Sequence, residues 1–83
     1  MRVVLTPDAE GQFGALPLVI QVRMRRLFAR LTAWPEVSGA KALSGPLAGH
    51  YRLRTGDYRI QFRVLESVVV IVKIGHRDRF YDQ

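Results

Sequence analysis

From His50 to Val64 the chain alternates between two kinds of side chain, and this alternation constrains the fold more than any other feature. Successive side chains of a strand point to opposite faces. Arg52, Arg54, Arg59 and Arg63 therefore share one face of a predicted hairpin, and Tyr51, Leu53, Tyr58, Ile60, Phe62 and Val64 share the other. An apolar face of that size has to be covered by another layer. Gly56-Asp57 reads as a two-residue type II′ turn, which glycine at its first position permits. In that register Arg54 stands directly opposite Arg59. Like charges so placed destabilise a sheet, so an anion is expected between them. Phosphate, and hence nucleic acid, is the natural candidate.

The covering layer lies upstream. Arg2 to Leu5 reads as a short strand rich in β-branched residues. Thr6-Pro7 has the form of a helix start, hydroxyl at the N-cap and proline at the first helical position. Ala9, Phe13 and Leu16 follow at helical spacing, weakened by Gly11 and Gly14. Pro17 opens a second helix running to about Ala33, with a core-facing stripe of Ile20, Met24, Leu27, Leu31 and Trp34. Arg23, Arg26 and Arg30 lie on another of its faces. Trp34-Pro35 to Pro46 reads as a loop. Three strands then follow, His50 to Arg54, Tyr58 to Leu65 and Val68 to Ile74. The expected fold is a single α+β domain over residues 1–83, two N-terminal helices packed on one face of a small, antiparallel-rich four-stranded sheet in the order β-α-α-β-β-β.

The last strand is apolar on both faces except at Lys73, as a central strand should be. A two-residue turn at Glu66-Ser67 would put Lys73 on the apolar face, opposite Ile60. A three-residue loop would pair Phe62 with Val70 and bring Lys73 beside Arg59. The hydrophobic pattern favours the second, because a one-residue slip reverses every side chain. The sheet face away from the helices is then free and cationic.

Thirteen lysines and arginines against seven acidic residues give a formal charge of +6. Such a balance favours acidic partners. There is no cysteine and there are only two histidines, so neither a metal site nor a cofactor is expected. No stretch approaches a membrane span and the first residues do not resemble a signal peptide. The expected location is the cytoplasm.

Arg52, Arg54, Arg59, His76, Arg77 and Tyr81 are the residues suited to chemistry. Arginine forks hold phosphate oxygens through paired hydrogen bonds and stay charged. Histidine and tyrosine can move or orient a proton. Together they would suffice for metal-free RNA cleavage, in which the substrate's own 2′-hydroxyl attacks the adjacent phosphate. Arg59, His76, Arg77 and Tyr81 are the catalytic candidates, and Arg52, Arg54, Arg63 and Lys73 the RNA-binding ones. Arg63 and the helix arginines equally fit a solvated surface. Tyr51, Tyr58 and Trp34 fit the core, and His50 falls at the far end of the basic face.

Leu43-Ser44-Gly45, then Tyr51-Arg52-Leu53-Arg54 with Gly56-Asp57-Tyr58-Arg59, the apolar strand ending in Ile74-Gly75-His76-Arg77, and Tyr81 together resemble the RelE/ParE toxin superfamily. With Val4-Leu5-Thr6-Pro7 and the helical pair, the resemblance spans most of the chain. It implies a type II toxin neutralised by a cognate antitoxin in a hetero-oligomer. For RelE-like members it implies an endoribonuclease that cuts mRNA on the ribosome. The positions that are usually basic in that branch fall at Arg52 and Arg54, the further arginines at Arg59 and Arg77, and the tail tyrosine at Tyr81. Arginine in place of lysine at the first two positions moves general-base work towards His76. ParE-like members instead poison DNA gyrase and carry a histidine-glycine-x-arginine tail where this chain has Gly75-His76-Arg77. The resemblance thus favours the RNase branch, with a gyrase inhibitor or an inactive RNA- or antitoxin-binding member as alternatives.

Overall fold

The computed structural model describes residues 1–80. Five strands form one mixed sheet: β1 (Arg2–Leu5), β2 (Lys41–Ala42), β3 (His50–Thr55), β4 (Tyr58–Leu65) and β5 (Val68–His76). Their order is β1-β5-β4-β3-β2, with β1 parallel to β5 and the other neighbours antiparallel. Helices α1 (Pro7–Gly14) and α2 (Leu18–Leu31) cover one face. The layers are those expected, with two differences that bear on the basic face.

The first difference is β2. The segment read as loop contributes a two-residue strand, pairing Lys41 with Arg52 and Ala42 with Tyr51, so the sheet has five strands rather than four. A pair of residues is too short to show a period of two, so its pattern is silent.

The second is a bulge. Leu65 pairs with Val68 across a two-residue turn, and the register holds through Phe62 opposite Ile71. It then slips by one, placing Gln61 opposite Lys73 and Ile60 opposite Ile74. Neither register weighed from the sequence is correct, because the extra residue, Val72, lies within β5 rather than in the loop. The bulge lets the tight turn coexist with the hydrophobic pattern. Val69, Ile71 and Ile74 all face the helices, and Lys73 faces away from them. Lys73 therefore sits beside Gln61, one rung from the expected Arg59.

Thr6 caps α1 as anticipated, its Oγ1 accepting from Ala9 N at 3.2 Å, and Pro7 opens the helix. β1 ends at Leu5, opposite Ile71. Beyond that point Gln12 of α1 takes over, its Oε1 accepting from Ile74 N at 2.7 Å, so the open edge of a central strand is satisfied. Ile20, Met24, Leu27 and Leu31 of α2 are buried against Leu53, Ile60, Phe62, Val69, Ile71 and Ile74. Trp34, just past the helix, meets Tyr51 and Phe62 edge to face at 4.7 and 5.3 Å between centroids.

The hairpin that carries the basic face turns as read. Gly56 has φ +58° while Asp57 does not enter the positive region, the signature of type II′. The β4–β5 turn puts Glu66 at a similar φ of +54°. No helix among the described residues is long and apolar enough to cross a membrane.

Candidate functional site

The sheet face away from the helices is a ladder of cations. Arg54 stands opposite Arg59, Arg52 opposite Gln61 and His50 opposite Arg63, with Lys41 beyond Arg52 and Lys73 beyond Gln61. β3, β4 and β5 contain no acidic residue, so no carboxylate within these strands neutralises the ladder. Between the Gly39 turn and the hairpin lies a cleft of about 330 Å³, lined by Gly39, Lys41, Arg52, Arg54 and Arg59.

Arg59 is the most constrained of these groups. Its Nη1 is buried and has no hydrogen-bond partner. A buried donor left unmatched costs about 1–3 kcal/mol, more when the group is charged. The register places it opposite a second arginine on one side and Gly75 on the other. Phe80, buried, lies over Gly75, with its ring edge 3.5 Å from where a Cβ would be. The glycine thus makes room for an aromatic wall beside Arg59. Lys73 holds that wall: its ammonium donates to the Phe80 carbonyl and lies 4.5 Å from the ring centroid, a cation–π contact. Preorganised cations at the edge of a shielded cleft suit a multiply charged, oxygen-rich ligand.

The family model of the ParE toxin of type II toxin–antitoxin systems matches residues 3–81. The chain belongs to the RelE/ParE toxin superfamily. It is a type II toxin. Among solved structures it is similar to the toxin in the RelBE2 toxin–antitoxin complex of Mycobacterium tuberculosis, with 30% identity over 92% of this chain and 90% of that one, and a TM-score of 0.82. The RelE–RelB complex of Pyrococcus horikoshii matches at 27% identity, covering 94% and 96% of the two chains with a TM-score of 0.75. The isolated RelE toxin of Escherichia coli shares the fold at 15% identity, covering 90% and 82% with a TM-score of 0.76. No curated protein sequence matches the chain.

The toxin's predicted site residues fall into three groups. Arg52, Arg54 and Arg59 converge on the cleft, joined by Lys41, which the sequence left in a loop. Arg63 shares their face at its far end, and Lys73 shares it but is engaged by Phe80. His76 does not converge. It pairs with Tyr58 on the helix side of the sheet, the two rings edge to face at 5.1 Å. Its Nδ1 accepts from Asp78 N at 3.2 Å. Arg77 sits at the hairpin end, its amide donating to the Asp57 carbonyl at 2.7 Å and its Nε 3.8 Å from Asp57 and 3.7 Å from Asp78. Such exposed pairs contribute little. Tyr81 lies outside the described residues.

Two further residues escaped the sequence reading. Gln61 is the one buried polar side chain among the described residues, and it holds His50. Its signal was the neutral amide that interrupts the series Arg59-x-Gln61-x-Arg63. Phe80 looked like an ordinary tail residue, and it is the chain turning back after β5 that lays it over Gly75.

Proposed function

We propose that the toxin is a metal-independent endoribonuclease that cleaves mRNA, acts on the translating ribosome in the cytoplasm, and is held inactive by a cognate antitoxin. The observation that carries this reading is Arg59, a half-buried arginine whose buried Nη1 is an unmatched donor, facing Arg54 in a cleft completed by Arg52 and Lys41. An RNA phosphate would supply the missing acceptor. As the 2′-oxygen attacks the adjacent phosphorus and the 5′-oxygen leaves, negative charge builds on the non-bridging oxygens. Arg59 would grip them, with Arg52 and Arg54 adding charge. One well-placed donor of this kind is typically worth 10²–10³ in rate. Arg77, at the rim, would meet a flanking phosphate. The products would be a 2′,3′-cyclic phosphate and a 5′-hydroxyl. His76 stands behind the sheet, so no proton transfer is routed through it.

The mycobacterial and archaeal relatives are complexes of toxin with antitoxin. An antitoxin segment with acidic side chains would neutralise this face while occupying the cleft.

Mapping 5′ ends by primer extension on translating ribosomes tests the reading. New ends carrying a 5′-hydroxyl are expected, and Arg59→Ala should abolish them. The matched family model, that of a ParE toxin, favours a second reading, a gyrase poison. Trapped gyrase–DNA cleavage complexes without new RNA ends would establish it in place of the first.

A further inference from the structure

The cleft accounts for four cations, Lys41, Arg52, Arg54 and Arg59, and leaves the far half of the same face unexplained. There, Gln61 donates from its amide nitrogen to Nδ1 of His50 at 3.0 Å. With the amide nitrogen turned to the ring, this bond requires Nδ1 as acceptor and so selects the tautomer with its proton on Nε2. His50 is thereby set as a hydrogen-bond donor at its outer nitrogen. Its backbone is equally fixed, because its carbonyl accepts from Leu43 N at 2.9 Å while the residue pairs with Arg63 across the ladder. Among the described residues of the sheet, the charged groups next to this imidazole are Arg63, paired with it on β4, and Arg52, two residues along β3, with Lys73 of β5 beyond Gln61. None of the three strands carries an acidic residue. A buried amide spent on orienting a histidine among strands whose charged residues are all basic suits an anionic ligand.

The spacing names its chemistry. The rungs Arg54–Arg59, Arg52–Gln61 and His50–Arg63 follow one another at intervals of two residues, about 6.7 Å along a strand. That is close to the separation of successive phosphates on an extended polynucleotide chain. Phe80 rises over β5 on one side and the Gly39 turn borders the other. From β5 to β3 is two strand spacings, roughly 10 Å, room for one chain and too narrow for a duplex.

We infer that His50, oriented by Gln61, forms with Arg63 a second phosphate subsite, which binds a phosphate two rungs, about 13 Å, along a single RNA strand from the one held at Arg54 and Arg59. This rests on the RNA reading above and adds to it a binding residue, His50, and a positioning residue, Gln61.

The test compares the full chain's affinity for 2′-O-methyl oligouridylates, which cannot be cleaved, in a series lengthened by one phosphate at a time. One added phosphate should raise the wild-type affinity about tenfold or more, the worth of a charge-assisted contact, and steepen the salt dependence by about 0.7 in log–log slope. His50→Ala and Arg63→Ala should each remove that increment while leaving affinity for the shorter ligand unchanged. Gln61→Leu should shrink it, and ¹⁵N spectra should show His50 passing from the Nε2–H tautomer to a mixture. An increment that survives all three substitutions, or a loss equal at every length, overturns the subsite and leaves the RNA reading intact. Wild-type protein that binds no oligouridylate at all overturns the RNA reading, and the subsite falls with it.

Discussion

The two faces of the central sheet are built from the same three strands, yet they stand in opposite energetic relation to folding. Towards the helices, Leu53, Ile60, Phe62 and Ile74 are buried against α2 and one another, so every contact favours the native state. Away from them, Arg52, Arg54, Arg59 and Lys73 crowd together, and Arg59 keeps an unmatched buried donor. The first face holds the chain together. The second carries at Arg59 a buried donor that a bound anion would satisfy, so function and folding have been assigned to opposite sides of one backbone.

Substitutions can break that contrast. The largest effect on stability is expected from Phe62→Ala, which removes a fully buried ring from between Trp34 and Tyr51. It should cost about 3–5 kcal/mol, a large part of what a chain this short possesses, as urea denaturation would show. On the other face, Arg59→Met should reduce RNA cleavage at least about 10²-fold while raising the unfolding free energy by about 1–3 kcal/mol. A stability loss comparable to that of Phe62→Ala would mean that both faces are core. Inorganic phosphate should shift the thermal midpoint of the wild type upward, by linkage. Arg59→Met should weaken that shift markedly, and an equal shift in both proteins would remove the anion site.

Smaller effects should appear when the charge repulsion is relieved. Arg54→Thr is expected to stabilise by about 0.2–1 kcal/mol, because it replaces a like-charge pair across the ladder. The smallest comparison concerns the turns that set the register for both faces. Gly56 and Glu66 share a positive φ, which glycine adopts freely and glutamate does not. Glu66→Gly should therefore stabilise by about 1 kcal/mol and Gly56→Ala should destabilise by a similar amount. Both are readable from denaturation midpoints.

Legibility in the sequence followed the strength of the local pattern. The alternation through Arg52, Leu53, Arg54 and Arg59, Ile60 fixed which side chains share a face, and Gly56 fixed the turn that sets Arg54 against Arg59. The run Val68-Val69-Val70-Ile71-Val72 carries no such signal, because each residue suits either face. The bulge at Val72 was therefore invisible, and with it the position of Lys73, while His76 turned to the helix side because β5 runs two residues past the expected end at Ile74. Lys41 was hidden for a different reason: a two-residue strand exists only because Arg52 and Tyr51 pair with it.

By itself, then, the sequence determined a two-faced sheet under a helical layer, with arginines facing arginines on the open side. These are consequences of a period of two and one glycine turn, both local. Tertiary structure alone decided that Gln61 would orient His50, that Lys73 would hold Phe80 over Gly75, and that His76 would turn towards Tyr58 and away from the cleft. The first and last depend on which residues of different strands come opposite one another, and the second on how the chain turns back at the end of β5. Where a strand is apolar on both faces, that register is chosen by the packing of the whole domain.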